Sequence, residues 1–135
     1  MPRPVSRCLL DTDVASAMFK DRVPSDLFRS LAGRSLGLTY VTVGELTKWT
    51  VARNWGAPRR SELATWIARF PVIAADAGVA ERWGELVAYA DARGRPRPVN
   101  DSWIAACCLT YGLPLATLNA ADFADFAEFE GLELL

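Results

Sequence analysis

Hydrophobic and polar positions follow two rhythms along this chain. Short apolar runs, "RCLL", "SLGLTYV", "PVIAA", "LPLATL" and a final "LELL", have the compact pattern of buried strands. Between them lie longer stretches whose apolar residues recur every three or four positions. Val14 to Lys20 predicts a short helix, and "PSDLFRSLAG" a second, with Pro24 near its start and Gly33 near its end. "TVGELTKWTVARNWG" predicts a helix closed by Gly56, and "PRRSELATWIARF" another, with Leu63, Trp66, Ile67 and Phe70 on one face. The longest helix is expected from Asp76 to Ala92, with Val79, Trp83, Leu86, Val87 and Ala90 at helical spacing. "RGRPRPV" interrupts it with two prolines, "NDSWIAACCLTYG" is a buried helix ended by Gly112, and "AADFADF" is a short helix. This alternation predicts an α/β fold: a central, mostly parallel sheet of about five strands flanked by helices. No repeat or long linker divides the chain, and 135 residues suit one domain, residues 1–135.

Composition narrows the chemistry. The chain has no histidine, which removes Ser-His-Asp and Cys-His catalysis and the usual imidazole ligands of zinc. Cys8, Cys107 and Cys108 have no C-x-x-C spacing and lie in apolar runs, so they read as core residues in a reducing cytoplasm. No stretch has the length of a membrane span, and none reads as a signal peptide; a soluble cytoplasmic domain is expected. The net charge of −1 points to no partner. All but Lys20 and Lys48 of the 15 basic residues are arginine, the side chain suited to bidentate contact with phosphate and carboxylate.

The acids are placed where strands stop. Asp11 and Asp13 follow "RCLL" directly, at the strand ends beyond which an open parallel sheet binds ligands. Each acid also has a structural explanation. Asp13 is a candidate N-cap, Thr42 with Glu45 fits a capping box, Asn100 with Asp101 opens a helix, and Asn119 with Asp122 forms another cap pair. As a set they mean more. Asp11, Glu45, Asp101 and the Asn119/Asp122 pair recur after successive elements, and a parallel sheet brings such ends to one edge. Carboxylates crowded there raise one another's pKa values, a conflict that a hard divalent cation, Mg2+ or Mn2+, resolves.

The segments "LLDTDVAS", "TVGEL" and "NDSWIAACCLTYGLPLATLNAADF" resemble, in order and over nearly the whole chain, the acidic motifs of PIN-domain ribonucleases, in particular the VapC toxins of bacterial toxin–antitoxin pairs. The resemblance implies a three-layer PIN-like domain and magnesium- or manganese-dependent RNA cleavage, held off by a cognate VapB antitoxin. It implies Asp11, Glu45 and Asp101 as the catalytic, metal-binding acids. For the fourth position the family commonly has Asp or Asn two places after a threonine; here Thr117 is followed by Asn119, with Asp122 one turn on. Asp13 and Thr117 then support the ligands. Asp11 and Asp101 are expected to bind the cation most directly, with Glu45 completing its surroundings or orienting the attacking water. Such a cation polarises a phosphate oxygen and lowers the pKa of water, so the products should carry 5′-phosphate and 3′-hydroxyl ends.

Arg93, Arg95 and Arg97, just before Asp101, are candidate RNA contacts; Arg53, Arg59 and Arg60 form a second basic group, with Trp55 as a stacking surface. The resemblance further implies homodimers through apolar faces of the early helices. It also implies an antitoxin arginine inserted near Asp11 and Asp101. Two other readings are open at this point. "LLDTDVAS" also resembles the Asp-x-Asp motif of haloacid-dehalogenase-like phosphatases, with Asp11 as nucleophile. The uncharged Asn119 suits a PIN-like module that binds RNA or protein without cutting.

Overall fold

The computed structural model describes residues 6–135; residues 1–5, the start of the expected domain, lie outside the described residues. Four strands, β1 (Arg7–Leu10), β2 (Ser35–Thr39), β3 (Val72–Ile73) and β4 (Leu115–Ala116), form one sheet in the order β3-β2-β1-β4, with every pairing parallel. Seven helices accompany them among the described residues: α1 (Thr12–Phe19), α2 (Ser25–Leu31), α3 (Tyr40–Ala52), α4 (Ala57–Ile67), α5 (Ala77–Ala92), α6 (Val99–Tyr111) and α7 (Ala120–Glu130).

The two faces of the sheet carry separate cores, set by the alternation of side chains along β1. Cys8 and Leu10 point to a cluster with Val14, Leu31, Leu38, Leu46 and Leu63, beneath α1 to α4. Leu9 points the other way, to Val79, Leu86, Ile104, Leu115, Phe123 and Phe126, beneath α5 to α7. Two helical layers around one sheet are the three-layer α/β arrangement expected. Gly37 is where the layers allow no side chain: a Cβ there would stand 3.0 Å from Leu9 Cδ2 and 3.4 Å from the Pro71 carbonyl. All three cysteines are free and buried, and burial pushes the Cys107 thiol up to about 12, which keeps it inert.

Several boundaries differ from expectation. The sheet has four strands, not about five, because "LELL" makes a single parallel bridge, Leu115 with Leu134. Strand two ends at Thr39, and its last two expected residues begin α3. The helix cap is therefore Thr39, whose side chain accepts from the Thr42 N–H at 3.2 Å; the Thr42/Glu45 capping box does not form. Asp13 is likewise not the cap of α1. Asp11 is, accepting from the Thr12 N–H, and Asp13 lies in the first turn. Gly56 does not close α3, which stops at Ala52; it is the N-cap of α4. The helix stop at Gly112 holds, with φ +65° at the C-cap of α6.

Candidate active site

The chain runs from β1 outward through β2 to β3, then crosses to the other side of β1 for β4. The order reverses between β1 and β4, and ligands bind outside the carboxyl ends of strands at such a switch point. Asp11 and Thr117 are the first residues past those two strands. The Asp11 N–H donates to the Ala116 carbonyl at 2.8 Å, so parallel pairing runs one step further and holds Asp11 against β4.

Asp11 is buried, and both carboxylate oxygens are engaged: Oδ1 accepts from the Thr12 N–H and Oδ2 from the Thr117 hydroxyl, each at 2.9 Å. These bonds favour the charged form, yet the pKa is raised from 3.8 to about 7. Burial is the larger cause, and the negative charge of Asp13 adds to it. Asp101, in the first turn of α6, is raised to about 6, first by burial and then by the fields of Asp122 and Glu45, with a further push from Asp13. The Arg97 guanidinium acts in the opposite direction. Asp11, Asp13, Glu45, Asp101 and Asp122 thus share one electrostatic environment.

Thr12 links α1 to α3. Its hydroxyl donates to Glu45 Oε1 at 2.8 Å and lies 3.0 Å from the Thr42 hydroxyl, which in turn faces that of Thr39. Thr42 and Glu45 reach Thr12 together because residues three apart share a helix face. Asn119 Nδ2 donates to Asp13 Oδ2 at 2.7 Å, and the Leu118 N–H approaches Asp13 Oδ1 at 3.4 Å. Asn119 therefore binds Asp13 here, while Asp122 is the acid of α7 that Asp101 feels. Sequence reasoning missed Thr12, whose signal was its position between two aspartates at a strand end.

The arginines are placed unequally. Arg93 approaches Glu130 at 3.9 Å and stacks over the Phe129 ring at 4.1 Å. Arg95 pairs with the buried Asp125 at 3.1 Å, and Arg97 donates to the Asp122 carbonyl at 3.0 Å. All three join the α5–α6 loop to α7, and Arg97 is the one whose charge reaches Asp101. Trp55 is not a free stacking surface: it packs on Phe19 at 6.2 Å, with Arg59 over both rings. An apolar cavity of about 270 Å³ lies at the amino ends of the strands, among Cys8, Leu36, Gly37, Pro71 and Leu113, away from every acid of the site.

The donors fit a hard divalent cation: they are carboxylate, carboxamide and hydroxyl oxygens, and Asp11 and Asp101 are raised by burial first and by neighbours of like charge second. The side chains stand apart, and no three acids or thiols among the described residues close into a preformed metal cage. Glu45 is held on the Thr12 hydroxyl and Asp13 on the Asn119 amide.

Comparison with known proteins agrees with this geometry. The PIN domain family matches residues 8–129. Ribonuclease VapC4 of Mycobacterium tuberculosis is 32% identical over 128 residues, which cover 93% of this chain and 95% of that protein. Among solved structures, VapBC2 from Rickettsia felis, bound to a DNA fragment from its promoter, superposes with a TM-score of 0.80 at 20% identity, covering 96% of this chain and 97% of that one. VapBC-5 from Mycobacterium tuberculosis gives 0.73 at 24% identity, covering 96% and 98%. The haloacid-dehalogenase-like reading of Asp11 and Asp13 falls away, and the chain belongs to the PIN-domain family, among its VapC-type members.

Proposed function

We propose that this chain is a metal-dependent endoribonuclease with Asp11, Glu45 and Asp101 as its catalytic acids. The supporting observation is their convergence with Asp13 and Asp122 at the switch point between β1 and β4, where Asp101 is raised to about 6 by burial and by the surrounding negative charge. Asp11 and Asp101 would hold the cation, Mg2+ or Mn2+, with Glu45, and with Asp122 rather than Asn119 as the added charge. When bound, that cation supplies Lewis acidity toward a phosphate oxygen and acidifies water. Thr117 and the Thr12 N–H fix the Asp11 carboxylate, and the Thr12 hydroxyl fixes Glu45, so the acids are oriented before substrate arrives. Asn119 holds Asp13 beside them. Arg97 is the loop arginine placed to meet phosphate; Arg93 and Arg95 keep the loop on α7.

The named relative is a ribonuclease and the solved neighbours are VapBC proteins, so RNA as substrate and a VapB-type antitoxin as restraint follow by kinship. An antitoxin arginine reaching Asp11 and Asp101 would neutralise the same charge as the cation. Phe28 on α2 and Val51 on α3, 63% and 57% exposed, offer apolar contacts for a second copy of the chain. The decisive experiment is end-mapping of RNA cut by antitoxin-free protein. Cleavage should require Mg2+ or Mn2+, leave 5′-phosphate and 3′-hydroxyl ends, survive a 2′-deoxy substitution at the scissile nucleotide, and vanish in Asp101→Asn. Cyclic-phosphate ends, or activity that persists in chelator, would refute the mechanism. RNA binding without any cleavage would support the non-catalytic module instead.

A further inference from the structure

A groove of about 320 Å³ opens from Asp13 and is lined by Lys20, Arg22, Trp49 and Arg53. None of its three cations has an ionic partner among the described residues, which is also true of Arg7, Arg34, Lys48, Arg60, Arg69 and Arg97; what sets these three apart is that they share one groove with Asp13. The groove is built by two helix ends side by side. Lys20 caps the C-terminus of α1 and Arg53 that of α3. Each is followed by a left-handed turn residue, Asp21 at φ +56° and Asn54 at φ +53°, which breaks the helix without glycine. A cation at a helix C-terminus is favourable in itself. That accounts for Lys20 and Arg53 one at a time. It does not account for Arg22 in the same groove, whereas the Arg53 guanidinium over the Trp49 ring at 5.2 Å is the contact of side chains four apart along α3.

We infer that this groove is a track for the backbone of single-stranded RNA leading to the acidic site. The inference rests on the nuclease reading and adds to it the surface that receives the strand. A phosphodiester held among five acids meets strong like charge, so the flanking nucleotides must supply the binding energy. Three unpaired cations in one groove supply it through counterion release. Asp13 is part of the groove's lining and is held by Asn119, so the groove adjoins the acidic site. Charge favours a polyanion there over an apolar peptide.

The test measures binding apart from cutting. A fluorescein-labelled oligouridylate is titrated by anisotropy into chelated protein, parent against the triple variant Lys20→Gln, Arg22→Gln, Arg53→Gln, over a range of salt concentrations. The variant should bind at least roughly tenfold more weakly, and its slope of log K against log salt should be shallower by about 2, as three lost contacts to a single strand require. An Arg53→Lys variant should keep most of the affinity. In the presence of Mn2+ the triple variant should show a raised KM and an unchanged kcat at saturating RNA. Equal affinity and slope in a triple variant of unchanged Tm would overturn the inference. So would normal RNA binding with lost capture of polyglutamate, which would mark a protein-docking surface. If anisotropy falls as expected but the parent cuts nothing in Mg2+ or Mn2+, the nuclease reading fails and the track stands.

Discussion

Replacing Asp11 with asparagine should stabilise the metal-free protein at alkaline pH and destabilise it at acidic pH. The Asp11 pKa rises from 3.8 to about 7, chiefly through burial and secondly through Asp13. An acid with a higher pKa folded than unfolded costs the folded state when it ionises. The cost is absent below 3.8, grows through the interval, and is complete above about 7. At ~1.4 kcal/mol per pH unit, a rise of about 3 units amounts to ~4 kcal/mol. Relaxation of protein and water around the carboxylate trims this to about 2 kcal/mol.

Asparagine keeps one acceptor, for the Thr12 N–H, and turns an amide donor toward the Thr117 hydroxyl, which already accepts from the Asn119 N–H at 3.0 Å. The hydroxyl has a second lone pair, so the exchange costs about 1 kcal/mol rather than a full unsatisfied group. The variant should therefore gain about 1 kcal/mol at about pH 8 and lose a similar amount at about pH 4. For a chain of this size that is a Tm change of roughly 3–5 °C in each direction. Urea unfolding in chelator, at several pH values across this range, measures it directly. A difference that does not vary with pH, or an asparagine variant less stable than the parent at about pH 8, would show that Asp11 carries no ionisation cost.

Divalent cations should reverse that order: at about pH 8, Mg2+ or Mn2+ at 100 times Kd raises parent stability by about 2.7 kcal/mol, and Asp101→Asn should abolish the response. Cation affinity should climb between about pH 5 and pH 8, because protons on Asp11 and Asp101 must leave first; isothermal titration at two pH values checks it. Thr12→Val removes the hydroxyl that orients Glu45, so kcat should fall roughly tenfold or more for a stability loss of about 1–2 kcal/mol, and Thr12→Ser should restore both. Arg95→Ala leaves Asp125 buried without its ion pair and should destabilise by about 1–3 kcal/mol, while Asp125→Asn added to it should recover part of the loss in denaturant melts.

Legibility in the sequence followed the range of the interaction involved. "RCLL" against "DTD" is a local boundary, so β1 and the place of Asp11 could be read directly. The order of acids along the chain, with a parallel sheet assumed, brought Asp11, Glu45 and Asp101 to one edge. Cap identity was less legible, because it depends on where a strand ends: moving that end from Val41 to Thr39 made Thr39 the cap and freed Glu45 to meet Thr12. The partners of the loop arginines were hidden for the same reason. Nothing near "RGRPR" announces that Asp125 and Glu130, about thirty residues on, will face it across α7. "LELL" has the composition of a strand, but only Leu134 bridges Leu115, with the Leu135 N–H returning to the Leu115 carbonyl at 2.9 Å.

A net charge of −1 conceals a strong segregation of charge. The acids that converge at the switch point have Arg97 as the cation acting on Asp101, and it also holds the Asp122 carbonyl. Arg95 and Arg93 are bound about one and two turns further along α7, to Asp125 and Glu130, acids that take no part in the site. Lys20, Arg22 and Arg53 stand unpaired on the other side, beyond Asp13. A phosphate approaching the bare acids is repelled, and a phosphate held in the groove is attracted. A cation bound among the acids would decide the balance at the point between them. Burial, and after it the charge of Asp13 for Asp11 and of Asp122 and Glu45 for Asp101, raise the two acids, and a bound cation would offset that negative charge and the repulsion of a phosphodiester together. On the proposed function, metal binding and productive RNA binding would be linked through one potential, which a count of acids and bases along the chain does not reveal.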